Sequence, residues 1–151
     1  MKDKIYIAGS FNRDCDRLAL LHMIEVVKKR YPDAELYIPM EFKVPGDFLK
    51  EDGTWYLPNE EWARCVYKAD RQALDESTLV VAMYLGHECN SGTPWEIGYA
   101  CGKGIPVIGW LPEYVVGDVS LMVMNCFLGI MDSDGNVNEC LMEVVKRYNQ
   151  K

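Results

Sequence analysis

Short apolar stretches alternate with longer amphipathic ones along most of the chain. Strand-like apolar runs lie at residues 4–8, 35–38, 78–84, 105–110 and 126–130. Helices are predicted over residues 14–30, about 59–74 and 94–101, near Ser120, and over residues 137–148. Because strand and helix alternate without a repeat or a linker, we predict one α/β domain over residues 1–151. Its sheet is expected to be mostly parallel, five-stranded and flanked by helices, like flavodoxin and Rossmann folds.

Among the segments between the predicted strands, some show the hydrophobic periodicity of a helix and one shows no period. In the first helix, four apolar positions are predicted to form the face that packs on the sheet: Leu18, Leu21, Ile24 and Val27. Residues 39–58 contain several prolines and glycines without a period. A loop of that length in a small domain is typically functional. Asn59 is predicted to cap the second helix.

Composition and charge narrow the classes of function. The chain has 16 Lys and Arg against 23 Asp and Glu, a formal net charge of −7. Because nucleic-acid binding relies on a cationic surface, no nucleic-acid partner is expected. No apolar run reaches the roughly 18 residues of a membrane span, and the N-terminus lacks a signal-peptide pattern. We therefore predict a cytoplasmic protein without a membrane partner.

The spacing of cysteines does not favour a metal site. Six cysteines stand at least 12 residues apart, at Cys15, Cys65, Cys89, Cys101, Cys126 and Cys140. Structural zinc needs closely spaced ligands, so these cysteines are interpreted as core residues. The phosphate-binding patterns GxGxxG and GxxxxGK[ST] are absent, which disfavours NAD-dependent enzymes and P-loop kinases.

Candidate chemistry concentrates in the loops after the first three strands. Parallel α/β sheets bind ligands beyond the carboxyl ends of their strands, which brings together residues 9–13, 39–47 and 85–96. Pro94 suits the first turn of a helix and places Glu96 in that turn. Glu96 either complements the helix dipole or acts as a nucleophile or acid on a sugar-like electrophile.

Neighbouring residues favour the second interpretation of Glu96. Gly92 and Gly98 permit close approach of a ligand. Three aromatic residues are candidate walls of a pocket: Tyr84, Trp95 and Tyr99. A second carboxylate, Asp70, lies near the end of the preceding helix, where the dipole disfavours a negative charge.

Several of these stretches together resemble one enzyme family. They are residues 5–11 (IYIAGSF), Asp70, residues 91–100 (SGTPWEIGYA) and residues 104–107 (GIPV). In order and spacing they resemble the nucleoside 2-deoxyribosyltransferase family over roughly residues 4–130. The resemblance implies an α/β fold, no metal or organic cofactor, and a homo-oligomer whose sites are completed by a neighbouring subunit. It also implies a nucleoside or nucleotide and a free nucleobase as small-molecule partners.

The resemblance also assigns roles to individual residues. Glu96 is the implied nucleophile, which attacks C1′ of a 2′-deoxyribonucleoside and forms a covalent deoxyribosyl-enzyme. Tyr6 is implied to orient the Glu96 carboxylate, and Asp70 to protonate the departing base. Another base, or water, then takes the sugar. The implied substrate-binding residues are Gly9, Ser10, Phe11, Lys43, Asn90, Gly92, Thr93 and, from a neighbouring subunit, Ser120.

Two departures from the family pattern keep a second activity open. Asn90 stands where the family usually has an aspartate that accepts a hydrogen bond from the sugar 5′-hydroxyl. Ser120 stands where an asparagine is common. Neutral Asn90 does not repel a phosphate, and Arg13 and Lys43 are candidate cations nearby. The alternative is therefore a 2′-deoxynucleoside 5′-monophosphate N-glycosidase, a hydrolase. A non-catalytic nucleotide-binding module is a third interpretation, which the presence of Glu96 disfavours.

The segment after Ser120 supports the expected oligomer. Four large apolar residues are difficult to bury in one small core: Leu121, Met122, Met124 and Phe127. We expect part of this segment to contact another subunit.

Overall fold

Helices cover both faces of a six-stranded sheet in the computed structural model, which describes residues 2–44, 60–86, 89–112 and 120–139. In chain order the elements are β1 (Lys4–Ala8), α1 (Asp14–Arg30), β2 (Glu35–Tyr37), a 3₁₀ turn (Pro39–Glu41), α2 (Glu60–Glu76), β3 (Leu79–Met83), α3 (Gly92–Gly102), β4 (Val107–Trp110), α4 (Leu121–Met124), β5 (Gly129–Met131) and β6 (Val137–Asn138). The predictions for residues 45–58, for Asn59 as a cap and for the chain beyond residue 139 lie outside the described residues.

The strand order of the sheet is β2-β1-β3-β4-β5-β6, and only the β5–β6 pair is antiparallel. The first five strands therefore have the flavodoxin-like order, which confirms the predicted α/β fold class. Its switch point lies between β1 and β3, where the connections change direction. Ligands of such sheets bind at the carboxyl edge near this point.

A sixth strand replaces the start of the predicted last helix. Residues 137 and 138 form β6, so the helix predicted to begin at Val137 is wrong for these residues. The turn before them is closed by Asp132, whose Oδ1 accepts hydrogen bonds from the backbone N–H groups of Asp134 and Asn136. Gly135 completes it with a φ of +82°, a conformation that favours glycine. This turn directs the chain back along β5.

The face of α1 that packs on the sheet differs from the prediction. Leu18 and Leu21 are 68% and 43% exposed. Val26 is buried as well, and the core side chains that share one face of the helix are Leu20, Met23, Ile24 and Val27. Residues spaced by three drift around a helix by about 60° per step, so the predicted set spreads over half of the helix circumference. The observed set follows the i, i+3, i+4, i+7 pattern of a single face.

Alternation along β1 directs side chains to the two layers of helices. Ile5 and Ile7 pack on the α1 side, whereas Tyr6 and Ala8 lie on the side of α2 and α3. Tyr6 is fully buried in the second layer. The fold thereby places one polar aromatic side chain beneath the two helices that carry Asp70 and Glu96.

The segment around α4 is only partly buried. Met124 and Phe127 belong to the core, contrary to the expectation that they are difficult to bury. Leu121 and Met122 are exposed, the latter by 82%. Among the described residues, no helix combines the length and apolarity that crossing a membrane requires.

Candidate active site

A short hydrogen bond joins β1 to α3 inside the second layer. The Tyr6 hydroxyl donates to Glu96 Oε1 at 2.6 Å. Tyr6 is fixed because it stands in the middle of a buried strand between β2 and β3. Its hydroxyl therefore holds the Glu96 carboxyl group in one orientation.

Glu96 lies in the second turn of its helix and not, as the sequence predicts, in the first. The helix α3 begins at Gly92, two residues before Pro94, and its first turn contains no acidic residue. Complementing the helix dipole is therefore not the role of Glu96, because that effect is confined to the first turn. Its partner is Tyr6 on the neighbouring strand.

Burial dominates the electrostatics of Glu96. It raises the pKa of the carboxyl group to about 7, and the negative charge of Asp70 acts in the same direction. The hydrogen bond from Tyr6 opposes this effect by stabilising the carboxylate. A carboxyl group that titrates near neutrality in a partly buried position is a candidate for catalysis.

The second carboxylate, Asp70, is held by a residue that the sequence analysis missed. The Tyr37 hydroxyl donates to Asp70 Oδ1 at 2.9 Å. Tyr37 stands opposite Tyr6 in the register of β1 and β2, and the two rings stack with centroids 5.4 Å apart at 20°. A continuous series of contacts thus connects Glu96, Tyr6, Tyr37 and Asp70.

The protonation of this group follows from its burial. Burial raises the pKa of Asp70, and the Tyr37 hydrogen bond lowers it by a smaller effect. The pKa values of Tyr6 and Tyr37 are also raised, first by burial and then by the neighbouring carboxylates. Both tyrosines therefore remain protonated donors at neutral pH, and the carboxyl groups are the titrating members.

The loop after β1 supports the site through packing. Ser10 is buried and Phe11 is partly exposed. A Cβ at Gly9 would lie 2.7 Å from Leu20 Cδ1 and 3.2 Å from Met83 Cβ, so glycine is required there for α1 to approach the sheet. Arg13 binds the buried Asp16 through two contacts, Nε to Oδ2 at 2.8 Å and Nη2 to Oδ1 at 2.9 Å.

The start of α3 forms the other side of the site. Asn90 is exposed, and its Oδ1 accepts a hydrogen bond from the Thr93 N–H at 3.3 Å. Thr93 is buried. A Cβ at Gly92 would meet only Asn90 Oδ1, at 3.5 Å, and the position of Gly98 is open.

Two predicted binding residues lie apart from this hydrogen-bonded group. Ser120 caps α4, because its Oγ accepts from the Val123 N–H at 3.5 Å, and its own N–H donates to the Tyr84 hydroxyl at 3.0 Å. Lys43 is exposed after the 3₁₀ turn that follows β2. Neither side chain forms a hydrogen bond or an ion pair with Glu96 or Asp70.

The contacts described for the three predicted wall residues do not include Glu96 or Asp70. Trp95 stacks on Tyr99 at 5.1 Å and contacts Tyr67 at 5.8 Å, while the Tyr99 hydroxyl donates to Asp75. These rings pack together between α2 and α3. Tyr84 is buried against Phe127. The aromatic residues that contact the carboxyl groups are instead Tyr6 and Tyr37, which come from the strands.

The described ranges contain no group of three or more His, Cys, Asp or Glu side chains placed to hold a metal ion. The hydrogen-bonded group described above consists of two carboxyl groups and two tyrosine hydroxyls. Such a set is suited to nucleophilic attack at an electrophilic carbon with proton transfer to a leaving group.

An α/β sheet whose strand tyrosines bind the carboxyl groups of two flanking helices defines the general class of this protein. Residues 5–127 match the family described as nucleoside 2-deoxyribosyltransferase. The chain belongs to this family, whose members are enzymes acting on N-glycosidic bonds.

Two relatives come from lactobacilli. A nucleoside deoxyribosyltransferase of Lactobacillus leichmannii is 25% identical over 115 residues, covering 74% of this chain and 72% of that protein. A nucleoside deoxyribosyltransferase of Lactobacillus johnsonii is 28% identical over 87 residues, or 57% of this chain. That match spans 58% of the relative's own length.

Solved structures share the fold. A 2-deoxyribosyltransferase from Bacillus psychrosaccharolyticus superposes with a TM-score of 0.71 at 20% identity, covering 91% of this chain and 95% of that chain. A CMP N-glycosidase from Clostridium botulinum has a TM-score of 0.53 at 17% identity, covering 99% and 100%. At these identities the likeness shows the fold alone.

Proposed function

We propose that the protein cleaves the N-glycosidic bond of 2′-deoxyribonucleosides and transfers the sugar to another nucleobase. The observation that carries this proposal is the 2.6 Å hydrogen bond between Tyr6 of β1 and Glu96 of α3. It holds a buried carboxyl group in one orientation, as a nucleophile that attacks a single carbon requires. The lactobacillus relatives named as nucleoside deoxyribosyltransferases support the same reaction.

In the first half-reaction, Glu96 forms a bond to C1′ and the bond from C1′ to the base nitrogen breaks. The electron pair of that bond goes to the base, and Asp70 supplies the proton that neutralises it. The products are a deoxyribosyl ester of Glu96 and the free base. Two carboxyl groups with different protonation suit such a two-step displacement.

In the second half-reaction, a nitrogen of another base attacks C1′ and the ester bond to Glu96 breaks. The carboxylate of Asp70 receives the proton that this nitrogen loses. Glu96 is then regenerated as a carboxylate. Water in place of the second base would give hydrolysis, so the outcome depends on which nucleophile occupies the site.

The Tyr6 hydrogen bond fits this scheme, because it counteracts the rise in the pKa of Glu96 that burial causes. A nucleophile must be ionised, and the Tyr6 hydrogen bond favours the ionised form that burial disfavours. Binding residues proposed around the two carboxyl groups are Gly9, Ser10, Phe11, Lys43, Asn90, Gly92 and Thr93, with Ser120 from a neighbouring subunit in a homo-oligomer. We propose no metal or organic cofactor, no nucleic-acid or membrane partner and a cytoplasmic location.

One observation favours a second activity, hydrolysis of 2′-deoxynucleoside 5′-monophosphates. Asn90 is neutral and sits at the start of α3, where N–H groups and the positive end of the helix dipole attract anions. The CMP N-glycosidase fold from Clostridium botulinum is compatible with it. Arg13 is a weaker argument for a bound 5′-phosphate than Asn90, because Asp16 already binds its guanidinium group through two contacts.

A product assay separates these activities. The protein is incubated with deoxyinosine, dCMP or dGMP, with and without adenine, and the products are separated by chromatography. A transferase gives deoxyadenosine from deoxyinosine and adenine. The hydrolase gives a free base and deoxyribose 5-phosphate from a monophosphate, whether or not adenine is present. Absence of all these products would contradict both activities.

A further inference from the structure

Tyr37 contacts the site in two independent ways. Its hydroxyl donates to Asp70 Oδ1 at 2.9 Å, and its ring stacks on Tyr6 at 5.4 Å. The stack is dictated by the sheet, because Tyr37 and Tyr6 are register partners on adjacent parallel strands. Tyr37 is therefore fixed by the backbone, whereas Asp70 is a side chain on a helix that needs a partner to hold it.

The hydrogen bond distinguishes the two oxygens of Asp70. Oδ1 accepts a hydrogen bond from the Tyr37 hydroxyl. A proton carried by Asp70 itself therefore lies on Oδ2, because on Oδ1 it would compete with the Tyr37 donor. A general acid transfers its proton only when the correct oxygen is aimed at the leaving group. The contact with Tyr37 thus determines which oxygen is available.

We propose that Tyr37 is a positioning residue that fixes Asp70 with its proton on Oδ2, ready for the departing base. This inference rests on the proposed function, in which Asp70 is the proton donor. Through its stack on Tyr6, Tyr37 also supports the residue that orients Glu96. One pair of stacked tyrosines therefore aligns the nucleophile and the acid of the same reaction.

The first test compares substrates that differ in their need for a proton. Tyr37→Phe keeps the ring and removes the hydroxyl, and Tyr31→Phe is the matched control at the opposite edge of the sheet. The substrates are deoxyinosine and 4-nitrophenyl 2-deoxyriboside, whose leaving group departs as an anion. We expect Tyr37→Phe to lower kcat for deoxyinosine at least about tenfold with KM nearly unchanged, and to change the nitrophenyl rate less than about twofold. The control should match the wild type on both substrates.

The second test is the pH profile of kcat/KM for deoxyinosine. Removing the Tyr37 donor takes away a bond that stabilises the Asp70 carboxylate, so the basic limb, on which Asp70 loses its proton, should move to higher pH. A residue that only supports packing would lower the rate without moving this limb. Circular dichroism of Tyr37→Phe verifies that the fold is retained.

The outcomes separate this inference from the function on which it rests. If the wild type cleaves neither substrate, or if Glu96→Gln retains full turnover, the proposed function is wrong and the inference falls with it. If Glu96→Gln is inactive on both substrates while Tyr37→Phe slows both alike or neither, the proposed function stands and the positioning role is wrong.

Discussion

Tyr6 and Tyr37 are register partners on β1 and β2, and their stacked rings connect the two carboxyl groups of the site. Each hydroxyl donates to a different carboxyl group, Tyr6 to Glu96 and Tyr37 to Asp70. The parallel pairing of two strands thereby sets the relative placement of side chains on two helices.

Replacing Glu96 should abolish the covalent step. Glu96→Gln keeps the shape of the side chain but is a poor nucleophile, so we expect a loss of at least about a thousandfold in kcat with the fold retained. A 2-fluoro-2-deoxyarabinosyl nucleoside should leave an adduct on Glu96 of the wild type, detected by peptide mass spectrometry. Near-normal turnover in the variant, or an adduct on another residue, would remove Glu96 from this role.

The same substitution should change how stability depends on pH. The pKa of Glu96 is raised in the folded state, so between about pH 4.5 and 7 the folded protein keeps a proton that the unfolded chain loses. The free energy of unfolding contributed by Glu96 therefore falls as pH rises through this window. Glu96→Gln removes the penalty and should stabilise the protein by about 1–3 kcal/mol at pH 8 and little at pH 4.5.

Urea unfolding at the two pH values measures this effect. Glu25→Gln is the control, because Glu25 is an exposed glutamate on α1, on the opposite face of the sheet. It should show no comparable gain at pH 8. Equal stability changes for Glu96→Gln at both pH values would contradict a raised pKa of Glu96.

Removing the Tyr6 hydroxyl should shift the pH dependence of activity. In Tyr6→Phe the carboxylate of Glu96 loses the donor that stabilises it, so the pKa of Glu96 rises and the acidic limb of kcat/KM moves to higher pH. We expect a loss of about ten- to a hundredfold at pH 6 that becomes smaller at pH 8. Tyr31→Phe is again the control. A loss of the same size at every pH would indicate that Tyr6 contributes only to packing.

How far the sequence alone predicts this molecule depends on the range of the interactions involved. Local periodicity predicted α1 with its observed bounds, Asp14–Arg30, and the alternation of elements predicted the fold class. For the buried face of α1 it was right for Ile24 and Val27 and wrong for Leu18 and Leu21, which are apolar yet exposed. Only contact with the sheet distinguishes these two positions from Leu20 and Met23.

The contacts of the site also depend on residues far apart in the chain, which local sequence patterns do not reveal. The motif around Glu96 is a local signal, and it singled out the residue without showing that its helix begins two residues before Pro94. Tyr37 gave no local signal, because its importance comes from pairing with Tyr6 across 31 positions of the chain and from Asp70 on α2. A tyrosine at the end of a short strand beside the strand of Tyr6 is the clue that would have found it.

The exposed residues of α4 should mediate assembly. Leu121 and Met122 are largely exposed beside Ser120, which we propose to complete a neighbour's site. Met122→Glu should reduce the mass measured by light scattering and lower activity at least about tenfold, because a charge opposes burial at an interface. Leu18→Glu is the control, because Leu18 is an exposed leucine on α1. This variant should retain the wild-type mass. A fully active wild-type monomer would contradict shared sites.

Asn90 distinguishes the transferase from the hydrolase. Its Oδ1 caps α3, a role that an aspartate fills equally well, so Asn90→Asp should retain the fold. If a free 5′-hydroxyl binds there, the substitution provides a stronger acceptor, and kcat/KM for deoxyinosine should be maintained or improved. If a 5′-phosphate binds there, the new carboxylate faces a dianion. Like charges about 4 Å apart cost on the order of 4 kcal/mol at an effective dielectric constant near 20.

Screening by salt and water reduces this repulsion to about 1–3 kcal/mol, still roughly a ten- to hundredfold loss for monophosphates. The measurement is kcat/KM of the wild type and Asn90→Asp with a deoxynucleoside and with its 5′-monophosphate. A wild type that prefers the monophosphate, and a variant that reverses the preference, would establish the hydrolase. A wild type that ignores monophosphates and exchanges bases would establish the transferase. If the substitution alters neither substrate, Asn90 does not face the 5′ end, and specificity at that end must come from other residues around the carboxyl edge of β1 and β3.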